Sequence, residues 1–326
     1  MEKEQPKVTF PNGQAFTDKA KEAIQGGIAW LHNWYSERAK MIRQNGEPFM
    51  SAEIRDKIAE RLSNLKIFGG DQVVENIQEG IAKGELHPTP LGVDSWKDDK
   101  YLDNLRKHTK NIDHMGATWQ NIEEKPIYLN EGHIEANQKL GYTSKDKLIG
   151  VIGPIDELAV HEATHASDID QQNTDRIGYI TDTDILSSYR NQPREIYARL
   201  NNLRYRLQVS PTKVFTVEEV AELRKKCEKD MKYFEQKRND PTVDIQQLVK
   251  EPGRLYDDML FDRFSDEQIC NLLNNVAQHR QSNQLDELHQ QQQKPEDKTT
   301  LYAEVSKKKG YAQDIEQTHR RGIHMG

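Results

Sequence analysis

The sequence predicts an α+β fold, mostly helical, with a small sheet packed beside one central helix and a disordered C-terminal tail. Three observations carry this. Apolar residues recur at the helical period through most of the chain up to about residue 280. Two short apolar runs in the middle, bounded by Gly and Pro, read as strands. Beyond residue 280 the composition collapses into Gln, Asn, Lys, Asp and Glu, including Gln290 to Gln293, which cannot bury enough apolar surface to order itself.

Residues 1–15 read as an extended arm punctuated by Pro6, Pro11 and Gly13. From about Thr17 to Asn45, Ala23, Ile24, Ile28, Leu31, Trp34 and Tyr35 recur at helical spacing. A second helix covers Ser51 to Lys66, with Ser51 as N-cap and Ile54, Ile58, Leu62 and Leu65 on one face. Gly69-Gly70 breaks it, a third helix runs from about Asp71 to Lys83, and Pro88, Pro90 and Gly92 mark a loop. Residues 1–95 are thus a helical N-terminal region, 96–280 a central domain with C-terminal helices, and 281–326 the tail.

Within the central domain, Lys125 to Asn130 reads as a strand, and Leu148 to Ile152 as a second, closed by Gly153-Pro154. Asp156 is placed to cap a helix that reaches about Asp168. Residues 169–192 form a polar loop. A helix follows Pro193 to about Gln208, with Ile196, Leu200, Leu203 and Leu207 in one stripe, and Ser210-Pro211 ends it. Thr216 and Glu219 make a capping box for a helix running towards Lys237. Residues 241–264 are less regular, and Ser265 to His279 form a last helix with Ile269, Leu272, Leu273 and Val276 inward.

Bulk properties narrow the function. The net charge is -7, and no Lys/Arg cluster with interleaved aromatics stands out, so nucleic-acid binding is not expected. The two cysteines, Cys227 and Cys270, sit in no metal or redox motif and read as ordinary helical residues of a reducing compartment. The polar N-terminus has no apolar stretch of a cleaved export signal, and no run approaches the roughly 18 apolar residues of a membrane span. The expected address is cytoplasmic, or export without a cleaved signal, and no membrane partner is expected.

The chemistry sits in His161-Glu162-Ala163-Thr164-His165. Histidines four apart on a helix project from one face, one turn apart. Both imidazoles can then reach one Zn²⁺ at about 2.0–2.1 Å. Glu162 is placed to take a proton from a metal-bound water, whose pKa zinc lowers towards about 7. With eleven histidines in the chain, the pattern is expected by chance roughly 0.03 times.

Val160 to Ala166 resembles the active-site helix of the zincin metallopeptidases. The resemblance covers that helix and one preceding strand. It implies that His161 and His165 bind zinc, that Glu162 is the general base, and that the substrate is a protein or peptide. By the same analogy, the strand around Tyr128 to Asn130 is an edge that binds an extended peptide. The metzincin branch needs glycine and a further ligand where this chain has Asp168 and Gln171. The gluzincin branch takes its third ligand from a glutamate on a later helix. Glu195 is the best match, with Asp168 and Asp170 as alternatives and Asp168 also a candidate to orient an imidazole. Arg199, one turn after Glu195, is a candidate to hold that carboxylate or a substrate carbonyl. Tyr197 and Tyr189 are candidates for stabilising an oxyanion. His133 reads as a loop residue.

The leading expectation is a zinc-dependent endopeptidase. Two alternatives stand beside it. One is a structural or packaged protein of a phage particle or secreted assembly that retains a zincin-like domain, since segments 195–207 and 264–277 resemble uncharacterised bacteriophage proteins. The other is an effector metalloprotease delivered into another cell.

Overall fold

The computed structural model describes residues 6–45, 52–112, 114–140, 143–144, 147–148, 153–168, 193–237, 240, 242–251, 253–255 and 260–274. Expectations for 169–192, for 149–152 and for everything beyond 274, the tail included, lie outside these residues. The fold is α+β and mostly helical. Its helices are α1 (Asp18–Asn45), α2 (Ala52–Leu62), α3 (Val73–Ala82), α4 (Asp99–Thr109), α5 (Glu131–Leu140), α6 (Ile155–Ser167), α7 (Pro193–Arg206), α8 (Val217–Lys237), α9 (Ile245–Val249) and α10 (Asp266–Asn274). The strands are β1 (Ile67–Gly69), β2 (Gly116–Thr118), β3 (Ile127–Leu129), β4 (Thr143–Ser144) and β5 (Lys147–Leu148).

Three strands form the main sheet in the order β1-β3-β2. β1 runs parallel to β3, pairing Phe68 with Tyr128, and β2 runs antiparallel, pairing Ala117 with Tyr128. Alternation splits the side chains between two cores. Ile67, Ile127 and Leu129 join α1, α2, α6 and α7, whereas Phe68, Ala117 and Tyr128 join Trp96, Tyr101, Leu105 and Trp119 on the other face. β4 and β5 form a separate two-residue hairpin.

The apolar stripe of α1 makes the first core: Ile24, Ile28, Leu31 and Tyr35 are fully buried. Each such side chain contributes about 1.5–3 kcal/mol relative to exposure. Gly27 lets α1 cross α6 closely, because a Cβ there would lie 2.7 Å from the Asp156 carbonyl oxygen. Glu131, at the start of α5, secures the N-terminus of α1, accepting from the Thr17 N–H at 2.8 Å and its hydroxyl at 2.6 Å. The capping box of α8 forms, with Thr216 N to Glu219 Oε2 at 2.9 Å and Glu219 N to Thr216 Oγ1 at 3.2 Å.

Several expectations are corrected. Gly69 is not a breaker but part of β1, where the Phe16 ring fills the space a Cβ would need. The strand at 127–129 is not an edge. It lies between β1 and β2, so the edge beside α6 is β2. Asp156 does not cap α6: Pro154 holds the N-cap position, and the Asp156 carboxylate accepts from the Tyr205 hydroxyl at 2.7 Å. His133 lies on α5 rather than in a loop. The region 1–95 supplies β1, α1 and α2 to the same core as α6, so it packs with the central residues. No helix among the described residues is long and apolar enough to cross a membrane.

Candidate metal centre

α6 carries His161 and His165 on its inward face, one turn apart, with ring centroids 4.8 Å apart at 83°. Their Nε2 atoms face each other at 3.2 Å. The first turn of α7 brings Glu195 against them: Oε2 lies 3.3 Å from His161 Nε2 and Oε1 3.3 Å from His165 Nε2. All three donors are buried, Glu195 completely. Among the described residues neither Glu195 oxygen has a hydrogen-bond partner, and the carboxylate and both ring nitrogens lie within reach of one shared point.

This donor set fits zinc. Two ligands each about 2.0–2.1 Å from a tetrahedral ion stand about 3.3 Å apart, and the separations here are 3.2 and 3.3 Å. A buried, unsatisfied carboxylate is costly unless a cation meets it. Without an ion the two rings, and Arg194 with Nε 3.9 Å from Oε1, are what face that carboxylate. Burial pushes the Glu195 carboxyl up, but His165 and His161 outweigh it and hold it well below the usual carboxylate range. Burial also lowers both imidazoles. Glu195 reverses this at His165, which ends raised, while His161 stays lowered.

Glu162 is fully buried on the same helix. Its Oε2 accepts from Thr118 Oγ1 of β2 at 2.8 Å; the same hydroxyl lies 3.0 Å from the Glu162 carbonyl oxygen, and its single proton serves the shorter contact. Oε1 is buried with no hydrogen-bond partner among the described residues. Burial pushes the Glu162 carboxyl up to about 7, against the His165 charge and the Thr118 donor. A carboxyl there can hold or release a proton near neutrality.

A second layer fixes α6 on every side. Thr164 donates to the Val160 carbonyl at 2.7 Å and accepts from Asn201 Nδ2 at 3.1 Å. Arg204, buried over the Trp34 ring, holds Asn201 at 2.9 Å and reaches the Leu272 and Leu273 carbonyls at the end of α10 at 3.2 and 3.1 Å. In the N-terminal turn, Glu157 pairs with Arg206. At the C-terminus, Lys125 Nζ binds the Asp168 carbonyl at 2.7 Å, from a residue held at φ 45°.

The residues singled out from sequence fare as follows. His161, Glu162, His165 and Glu195 come together. Arg199 lies near enough to His161 for its charge to lower that imidazole's pKa. Tyr197 points elsewhere: its hydroxyl is 2.6 Å from that of Tyr35 on α1. The Asp168 carbonyl serves as an anchor at the end of α6. Asp170 and Tyr189 lie outside the described residues. Thr118, Asn201 and Arg204 escaped sequence reasoning. Comparison with family models, curated proteins and solved structures found no match for the chain.

Proposed function

We propose that this chain is a zinc-dependent peptidase of the zincin type, gluzincin-like in its ligand set, acting on a protein or peptide substrate. The observation that carries the reading is the convergence of His161, His165 and Glu195 on one point, with Glu162 beside them. Zinc held there would supply Lewis-acid chemistry, polarising a carbonyl oxygen and acidifying a water.

The chain's own residues supply the rest. Glu162 takes the proton through Oε1, because Thr118 occupies Oε2. It can return that proton to a leaving amine. Arg199 adds positive charge on the His161 side. On either side of β2, Met115 and Trp119 bond to Asn130 and Pro126, which flank β3, so alternation turns the backbone groups of Gly116 and Thr118 to the outer edge. An extended peptide adding to that edge lies beside Glu162. The ligands and β2 are buried, so a substrate gains access through local opening.

Glu162→Gln tests the reading. The variant should keep one zinc per chain and lose cleavage of an unfolded general protein substrate. Cleavage at the wild-type rate would overturn it.

A further inference from the structure

A second pair of imidazoles meets away from the triad. His108 sits in the last turn of α4 and His114 in the segment entering β2, both half-buried. Nδ1 of His108 lies 3.0 Å from Nε2 of His114, with ring centroids 4.6 Å apart at 74°. These values nearly repeat the His161–His165 pair, at 3.2 Å, 4.8 Å and 83°. In both pairs ring nitrogens face each other.

Neutral imidazole nitrogens are borderline donors that suit Zn²⁺, Ni²⁺ and Cu²⁺ alike. His114 is also held in place. Its N–H donates to the Asn111 carbonyl at 2.9 Å, and its carbonyl accepts from His133 Nδ1 at 3.1 Å. Asn137 of α5 binds the Ile112 carbonyl in the same segment. Little ordering then remains for a ligand to impose.

We propose that His108 Nδ1 and His114 Nε2 form a second divalent transition-metal site, taking an imidazole-binding ion such as Ni²⁺, Cu²⁺ or Zn²⁺. An ion there joins the end of α4 to the start of β2, just ahead of Thr118, and stiffens the strand that positions Glu162. The site stands independently of the peptidase reading.

The test uses the full chain loaded with one equivalent of Zn²⁺ and titrated with Ni²⁺ by calorimetry, since Cu²⁺ would compete for the triad. Wild type should take up one further equivalent. His108→Gln and His114→Gln should each weaken it by about tenfold or more, because outer-shell partners alone are worth about 10–100-fold, and His87→Gln, at the exposed pair with Glu124, should retain it. In unsubstituted protein, paramagnetic Ni²⁺ should perturb the imidazole NMR signals of His108 and His114 before those of the other histidines. Equal binding by wild type and both variants, or uniform perturbation of all histidines, would show a plain imidazole hydrogen bond and adventitious uptake, and would overturn the proposal.

Discussion

Glu162 should make the ion-free protein less stable than it could be, by an amount set by its burial. Its carboxyl has an ordinary value of 4.5 and stands at about 7 in the fold, burial being the main cause. Between those values the unfolded chain releases a proton that the folded chain keeps. Stability attributable to Glu162 therefore falls as pH rises from about 4.5 to 7, and stays lost above. At about 1.36 kcal/mol per pH unit the loss totals about 3 kcal/mol. Glu162→Gln has no proton to release, and its side-chain oxygen can still accept from Thr118. In chelator, urea unfolding should give near-equal stabilities at pH 4.5 and a gain for the variant of about 3 kcal/mol at pH 8. Comparing the two proteins at each pH cancels the other titrating groups to first order. Zinc should shrink the gain, because the ion favours the ionised carboxylate. A variant no more stable at pH 8, or one whose gain is the same at both pH values, would refute the reasoning.

Three further outcomes follow from the geometry. Thr118→Val removes the donor to Glu162 Oε2; a hydrogen bond to a charged group is worth about 1.5–3 kcal/mol, so the acid limb of kcat/KM should move up by about one pH unit or more, with Thr118→Ser restoring it. Glu195→Ala should weaken zinc binding by more than the roughly 10–100-fold seen for outer-shell partners, read by competition with a chromophoric chelator, while His133→Ala leaves it unchanged. Gly27→Ala drives a methyl to 2.7 Å from the Asp156 carbonyl; pushing α1 off α6 should cost about 1–3 kcal/mol in chemical denaturation, whereas Gly26→Ala, with open space around it, should cost nothing or stabilise.

What sequence reasoning reached, and what it missed, follows from the range of the interactions. The α6 motif is local: its spacing alone puts two imidazoles on one face. Glu195 was reachable because α7 has a clear apolar stripe, and Ile196, Leu200 and Leu203 are indeed buried. Thr118 left no trace because β2 is three residues long, too short for alternation to register, and its face is set by pairing with β3. The same applies to β1, whose neighbour in the sheet lies far along the chain. Gly69 illustrates the ambiguity of glycine: its sequence signal is that of a break, yet it permits the Phe16 ring to lie on the strand. Arg204 has no mark in the sequence that separates it from the other cations of α7. Its burial rests on Trp34 and on carbonyls of α10, partners from distant segments. Tyr197 is near Glu195 in sequence, but two residues along a helix turn it to the opposite face, where its hydroxyl meets that of Tyr35.

The central claim is that His161, His165 and Glu195 hold one zinc ion. X-ray absorption and metal analysis of the full chain, purified without chelator, test it most directly. The account predicts one zinc per chain in a nitrogen and oxygen shell at about 2.0–2.1 Å, lost in a His161→Ala, His165→Ala double variant that still folds. Wild-type protein without stoichiometric zinc, or a double variant that retains it, would contradict the account.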